Sequence, residues 1–272
     1  DIILPLGGNN PAGVLGQVSG ALELAEQVER GEVLDPKRLY LPVGSGCTVS
    51  GLIIGVALAK HLGMKAFQEP GFSIQAVPVH EALAWLQKKF GVSTLPISRW
   101  LPLTVRHSVE STCAALVQLG GPDLLALSLS VMRDHLEFRT DSAVVGTYGG
   151  HSPDSRAAAS AFESSGSVEG VSAPDMAQPL WLCGHFAAKA WAIMLQDLEA
   201  QVVDGRKCVF WMTKSAVQPL GGRDEWATLK DMPHVVREWA DGGKAESALR
   251  VGRVDTREGS PSDYRHLMRP LQ

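Results

Sequence analysis

Apolar residues recur in this chain in two different patterns. In some segments they are spaced three or four positions apart, and in others they form short unbroken runs. The first pattern is typical of helices that bury one face, and the second of strands that are buried on both faces. Residues 14–28 have the helical spacing after Asn9-Asn10-Pro11, which suits a helix start, and Gly31 suits its end. A short apolar strand is predicted next, at residues 39–43.

The two patterns alternate along most of the remaining chain. Strands are predicted at residues 2–6, 39–43, 72–80, 137–140 and 208–212. Helices are predicted at residues 11–30, 49–63, 81–90, 112–119, 124–136, 154–162 and 186–203. Strands that alternate with helices favour a parallel sheet, because each helix carries the chain back to the start of the next strand. The sequence therefore predicts an α/β fold, with a mostly parallel sheet and helices on both faces.

Composition narrows the class of protein. The chain has 272 residues, of which 45% are apolar and 20% are charged, and its net charge is −4. These fractions are typical of a globular protein. The negative net charge provides no basic field that would favour direct nucleic-acid binding. No apolar run reaches the roughly 20 residues of a membrane-spanning helix. The four cysteines are scattered, which fits a reducing intracellular compartment, cytoplasm or mitochondrion. His80, Glu81 and His107 lack metal-ligand spacing, so no metal site is predicted.

The candidate chemistry lies in a glycine-rich segment between a predicted strand and a predicted helix. This segment, called here the glycine loop, comprises Gly44, Ser45, Gly46, Cys47 and Thr48. The first N–H groups of a helix have no partner within the helix, so a loop at that place can bind an anion. The lysine of a P-loop is absent, and the loop is not a Rossmann fingerprint. An ordinary glycine-rich turn without a ligand is the alternative.

The glycine loop belongs to a wider set of segments that resembles a known family. These segments are Leu-Pro-Leu-Gly-Gly-Asn-Asn-Pro from Leu4, Leu-Pro-Val-Gly-Ser-Gly-Cys-Thr from Leu41, Phe-Ala-Ala-Lys-Ala from Phe186 and Val-Phe-Trp-Met-Thr from Val209. Together with Glu169-Gly170 they resemble the 1-aminocyclopropane-1-carboxylate deaminase and D-cysteine desulfhydrase family. The resemblance implies the tryptophan synthase beta-like fold and pyridoxal 5′-phosphate as cofactor. It implies that the glycine loop wraps the cofactor phosphate and that Thr213 bonds the ring nitrogen.

Two departures from the family pattern bear on activity. The family's Schiff-base lysine precedes the matched region, so the N-terminal portion is expected to be missing from this chain. Phe186 stands where the family has tyrosine, and phenylalanine cannot transfer a proton. Lys189 lies in the matched Lys-Ala pair, but a solvated or capping lysine is the simplest interpretation of its helix position. No catalytic residue is therefore assigned within this chain.

Two functions remain open at this point. The first is a pyridoxal-phosphate-dependent deaminase or desulfhydrase acting on a small amino acid, with the lysine-bearing half outside this chain. The second is a catalytically inactive homologue that serves as a structural or accessory subunit of a larger assembly, in the cytoplasm or the mitochondrion. Residues 1–240 are expected to form the domain and residues 241–272 a polar arm. In the arm Tyr264, Leu267, Met268 and Leu271 are expected to dock on another chain, in a homo-oligomer or a larger complex.

Overall fold

A parallel sheet runs through the part of the chain that the computed structural model describes, which is residues 6–79, 97–140, 144, 152–165, 182–184 and 186–213. Its strands are β1 (Arg38–Val43), β2 (Ser73–Pro78), β3 (Leu136–Phe138) and β4 (Cys208–Phe210). Their order across the sheet is β3-β2-β1-β4, and every neighbouring pair is parallel. The predicted α/β class with a parallel sheet is confirmed.

Helices pack against both faces of this sheet, as predicted. One face is covered by α1 (Pro11–Glu29), α2 (Cys47–His61), α3 (Ile97–Gln118) and α4 (Leu125–His135). The other face is covered by α5 (Pro153–Ser165) and α6 (Ala187–Glu199). The alternating side chains of β1 divide between the two faces, since Leu39 and Leu41 join the first core and Tyr40 joins the second. None of the described helices combines the length and apolar character needed to cross a bilayer.

The ends of α1 follow the sequence signals closely. The Asn10 side chain accepts a hydrogen bond from the Gly13 N–H at 2.8 Å, and Pro11 occupies the first helical position. The helix then packs closely along α2, where Gly51 and Gly55 face it. A Cβ atom at Gly51 would lie 2.8 Å from the Val14 carbonyl oxygen, which is too close for any real contact. The two glycines therefore set the short distance between α1 and α2.

Several predicted boundaries are wrong. The predicted helix at residues 112–119 is only the end of α3, which begins at Ile97 and contains Pro102. The predicted helix at residues 186–203 ends early, at Glu199, and Gln201 has a positive φ of 54°. The last predicted strand is shorter than expected and stops at Phe210, although the Trp211 N–H still donates to the Tyr40 carbonyl oxygen at 2.7 Å.

Other boundaries shift by one to a few residues, and some predictions cannot be compared with the structure. Strand 72–80 is found as Ser73–Pro78, strand 137–140 as Leu136–Phe138 and helix 154–162 as Pro153–Ser165. Residues 6–8, at the end of the predicted first strand, form a single 3-10 turn. Residues 2–5, the helix at 81–90, the domain boundary near 240 and the arm at 241–272 lie outside the described residues.

A charged cluster ties α6 to the sheet. The Asp197 carboxylate accepts hydrogen bonds from Arg38 at 2.6 Å, from the Tyr40 hydroxyl at 2.7 Å and from Arg139 at 2.7 and 3.0 Å. Burial alone would raise the pKa of Asp197, but the bonds from Arg139 and Tyr40 and the two guanidinium charges outweigh it, so the pKa is lowered. The cluster joins α6 to β1 and to the residue that follows β3.

Candidate functional site

The glycine loop lies at the carboxyl edge of the sheet, where β1 passes into α2. Gly46 is the residue before α2, and its φ of 90° is a left-handed conformation that suits glycine and strains other residues. Gly46 has no side chain with which to cap this end of α2. The helix therefore begins with backbone N–H groups directed out of the helix, as the strand-loop-helix pattern predicts.

The residues singled out in the sequence come together around one cavity of about 160 Å³. It is lined by Gly44, Ser45, Gly46, Cys47 and Thr48, together with Phe186 and Thr213. Pro42, Val43 and Val49 complete the lining. Phe186 immediately precedes α6, and Thr213 follows β4, so three separate parts of the chain meet here. Every site residue predicted from the sequence thus lines the same cavity.

The strand order explains why a cavity forms at this edge. The next strand along the chain, β2, lies on one side of β1, whereas the last strand, β4, lies on the other side. The helix after β1 covers one face of the sheet, and the helix before β4 covers the opposite face. A crevice therefore opens between the carboxyl ends of β1 and β4, and parallel α/β sheets bind their ligands at such crevices.

The lining is suited to a phosphate monoester attached to a planar ring. None of the described lining residues is acidic, so no carboxylate would repel the anion. The start of α2 offers N–H donors and the positive end of a helix dipole. The Phe186 ring can pack against a planar ligand, and the Thr213 hydroxyl can donate to a ring nitrogen. These residues fit pyridoxal phosphate in composition and placement.

Two side chains of the loop are engaged with the segment that precedes α1. The Ser45 hydroxyl lies 3.4 Å from the Gly7 carbonyl oxygen, and the Cys47 thiol donates to the Gly8 carbonyl oxygen at 3.4 Å. The Cys47 N–H lies 3.4 Å from the Ser45 hydroxyl oxygen, a long contact that a phosphate oxygen at normal distance would outcompete. Burial raises the pKa of the Cys47 thiol, which favours an unreactive protonated side chain.

Asn9 braces the glycine loop, a role that sequence reasoning missed. Its side-chain amide donates to the Ser45 carbonyl oxygen at 2.7 Å, and its side-chain oxygen accepts from the Ser108 hydroxyl of α3 at 2.9 Å. The neighbouring Ser50 hydroxyl donates to the Gly46 carbonyl oxygen at 2.8 Å. The sequence pattern predicts only a helix cap for the Asn-Asn pair, and that role belongs to Asn10 alone.

The interpretation of Lys189 as a solvated or capping residue is wrong. Its side chain is fully buried, and its Nζ donates to the Val79 carbonyl oxygen at 2.7 Å. Burial lowers the pKa of Lys189 to about 8, and the neighbouring Cys183 opposes this effect. The first turns of α6 lie between α5 and the sheet, so a residue between two alanines becomes buried despite its charge.

Metal binding has no support in the described ranges, where no group of three or more His, Cys, Asp or Glu side chains is assembled.

Comparison with known proteins finds similarity among solved structures and not among family models or curated sequences. No family model and no curated protein matches the sequence. Among solved structures, the chain is similar to the crystal structure of an ACC deaminase homologue, with 18% sequence identity and a TM-score of 0.47. The similarity covers 79% of this chain and 49% of the other, so this chain spans about half the length of that protein.

Proposed function

We propose that the glycine loop binds the phosphate of pyridoxal 5′-phosphate and that the protein acts on a small amino acid as a deaminase or desulfhydrase. The observation that carries the proposal is the convergence of all the predicted site residues on one cavity at the carboxyl ends of β1 and β4. The sequence segments that resemble the deaminase and desulfhydrase family supply the identity of the cofactor.

Each lining group has a defined task in this proposal. The N–H groups of the glycine loop hold the phosphate, and the Thr213 hydroxyl donates to the ring nitrogen and leaves it unprotonated. When bound, the cofactor acts as an electron sink for a carbanion at the α-carbon of an amino acid. Phe186 orients the ring by packing, and it has no proton to give. The lysine that links the cofactor is proposed to lie outside these 272 residues.

Cofactor binding can be tested with a pair of matched glycine variants. In Gly46→Ala the alanine must adopt a φ of 90°, with its Cβ 3.3 Å from Val105. The start of α2 should therefore shift, and binding should weaken strongly. Gly63→Ala introduces the same kind of strain at the other end of α2, where the added Cβ meets open space. Titration calorimetry with pyridoxine 5′-phosphate, which has no aldehyde and cannot label lysines, measures both affinities. Equal affinity in the two variants would refute the proposed phosphate site.

The inactive accessory subunit is a second candidate, and the position of Phe186 favours it. This side chain lines the cavity where the family resemblance expects a tyrosine hydroxyl. The full-length protein, supplied with pyridoxal phosphate and then 1-aminocyclopropane-1-carboxylate or D-cysteine, should release ammonia if the enzyme proposal is correct. Ligand binding without any turnover would favour the accessory role. Borohydride reduction followed by peptide mapping should find no single stoichiometric pyridoxyl-lysine within these 272 residues.

A further inference from the structure

The buried amine of Lys189 is hydrogen-bonded to Val79, a residue that contacts the wall of the cavity. Its Nζ donates to the carbonyl oxygen of Val79, whose N–H donates to the Val43 carbonyl oxygen at 3.1 Å. Val43 lines the cavity, and the Val79 side chain is the nearest group to the position of a Gly44 Cβ atom, at 3.7 Å. Phe186, one helical turn before Lys189, also lines the cavity. Val79 thus connects the amine with both Val43 and Gly44 of the cavity wall.

The charged groups that reach α6 from its described neighbours lie mainly at the other end of the helix. Arg38 and Tyr40 of β1 and Arg139, which follows β3, all donate hydrogen bonds to Asp197. Asp154 of α5 bonds Gln196 at that same end. Asp197 is eight residues beyond Lys189, which is about 12 Å along a helix axis. Near Lys189 itself, the Cys183 thiol is a titratable group that acts on the pKa of the amine.

We propose that Lys189 is a positioning residue of the anion site, whose ammonium group supplies positive charge behind the wall formed by Val43 and Gly44. The inference rests on the proposed function, because it needs an anion at the glycine loop. A charge in a buried position is weakly screened, so it acts on a bound phosphate through the wall without touching it. The phosphate, in turn, favours the protonated form of the amine. Binding and protonation of Lys189 are therefore coupled.

The coupling gives the affinity a distinctive pH dependence. Below pH 8 the amine is protonated and supports binding, and above its pKa of about 8 that support is lost. Near pH 8 the protein should therefore take up part of a proton when the ligand binds. A purely structural lysine would produce neither effect.

The test compares the full-length protein with two variants of Lys189 and one control. Lys189→Met removes both the charge and the hydrogen bond, whereas Lys189→Gln retains a donor and removes the charge. Lys60→Met is the control, because Lys60 is also partly buried but lies near the opposite edge of the sheet, 2.9 Å from His135 Nε2. Titration calorimetry with pyridoxine 5′-phosphate is run between pH 7 and 9.5 in buffers of different ionisation heat. The ligand's own ionisation affects the affinity of every protein equally, so it cancels when variant affinities are divided by the wild-type affinity.

Both Lys189 variants should bind about 10-fold more weakly at pH 7, the size expected for unit charges roughly 12 Å apart at an effective dielectric constant of about 20. The difference should vanish toward pH 9.5, and proton uptake should be absent from both variants and retained in Lys60→Met. Wild-type affinity and proton uptake in either folded Lys189 variant would overturn the inference and leave the proposed function standing. Absence of binding by the wild-type protein would instead refute the proposed function.

Discussion

Asp197 is the residue whose loss should affect stability most specifically. Its carboxylate is about nine-tenths buried and receives two guanidinium groups and a phenol. When one member of a buried, hydrogen-bonded charge cluster is removed, the remaining members lose their partner and cannot be fully rehydrated. The cluster also fixes α6, the helix that carries Lys189 and follows Phe186. By fixing the position of α6, the cluster therefore also helps to set the shape of the cavity at the other end of that helix.

Asp197→Asn should lower the free energy of unfolding by about 1–3 kcal/mol, because the neutral amide leaves Arg38 and Arg139 without a counter-charge. Denaturant titration at pH 7 measures the change. The matched control is Glu110→Gln, which removes an exposed ion pair with Arg106 and should cost about 0.5 kcal/mol or less. Equal effects of the two substitutions would mean that the buried cluster contributes no more than a surface pair.

Because the pKa of Asp197 is lowered, the stability difference between the wild type and Asp197→Asn should depend on pH. The folded-state pKa lies below that of the unfolded chain, so the stabilisation is complete above the unfolded value of about 4. It is lost as the pH falls through the folded-state pKa. The stability difference between wild type and Asp197→Asn should therefore be constant from pH 5 to 7 and shrink below pH 4. A difference that grows on acidification would contradict this assignment.

Lys189 should have the opposite effect on stability, in a different pH range. Its folded-state pKa is about 8, below the value of an unfolded lysine, so burial of the ammonium opposes folding at neutral pH. Between pH 8 and 10.5 the unfolded chain holds more protons, and stability contributed at this site should rise with pH. Denaturant midpoints measured across this range should rise more steeply for the wild type than for Lys189→Met. Parallel pH profiles would show that the amine is not perturbed by burial.

At the scale of elements, the α1–α2 contact depends on glycine in one helix only. Gly55→Ala should destabilise the protein by about 1–3 kcal/mol, because its Cβ would collide with Ala21 and the helices must separate. Gly16→Ala, in α1, adds a Cβ that meets nothing within 4 Å. That control should instead stabilise by up to about 1 kcal/mol through helix propensity. Urea midpoints of the two variants should move in opposite directions, and a gain in Gly55→Ala would show that the helices are not in close contact.

Elements with local signals were predictable, and those without them were not. Asn10 and Pro11 mark the start of α1 by bonds that the segment makes with itself. The first half of α3 has no such signal, and Pro102 interrupts the pattern that would predict a helix. The helix nevertheless places Leu101, Val105 and Val109 in the core, so tertiary packing decides its start. Local propensity cannot reveal this, because the packing partners belong to α1 and α2.

The candidate site was predictable in part for the same reason. The glycine loop carries its own signal, since a strand, a glycine pair and a helix follow one another directly. Thr213 and Phe186 could be assigned only through the family resemblance, because nothing in their local sequence points to β1. The brace by Asn9 and the burial of Lys189 depend on contacts between segments 36 and 110 residues apart, respectively. No pattern within a single segment carries such information.

At the scale of the whole molecule, the polar arm at residues 241–272 remains a prediction about assembly. Its few large apolar residues, among them Tyr264 and Leu267, bury too little area to form a core alone. Deletion of residues 255–272 should therefore lower the oligomeric state or abolish partner binding, with little change in melting temperature. Light scattering and a thermal melt on the same samples distinguish the outcomes. An unchanged assembly with a lower melting temperature would place the arm on its own domain.

The position of β4 beside β1 has a consequence for how the protein is made. Tyr40 and its register partner Phe210 are about 170 residues apart, while the partners of β1 in β2 follow within about 35 residues. At roughly 5–20 residues per second, a ribosome needs on the order of ten to thirty seconds to deliver β4 after β1 has emerged. Throughout that interval the nascent chain carries a β1 edge with unpaired backbone groups, a template for pairing with another chain. Synthesis of this fold therefore includes a period in which a chaperone that shields strand edges would protect it from aggregation.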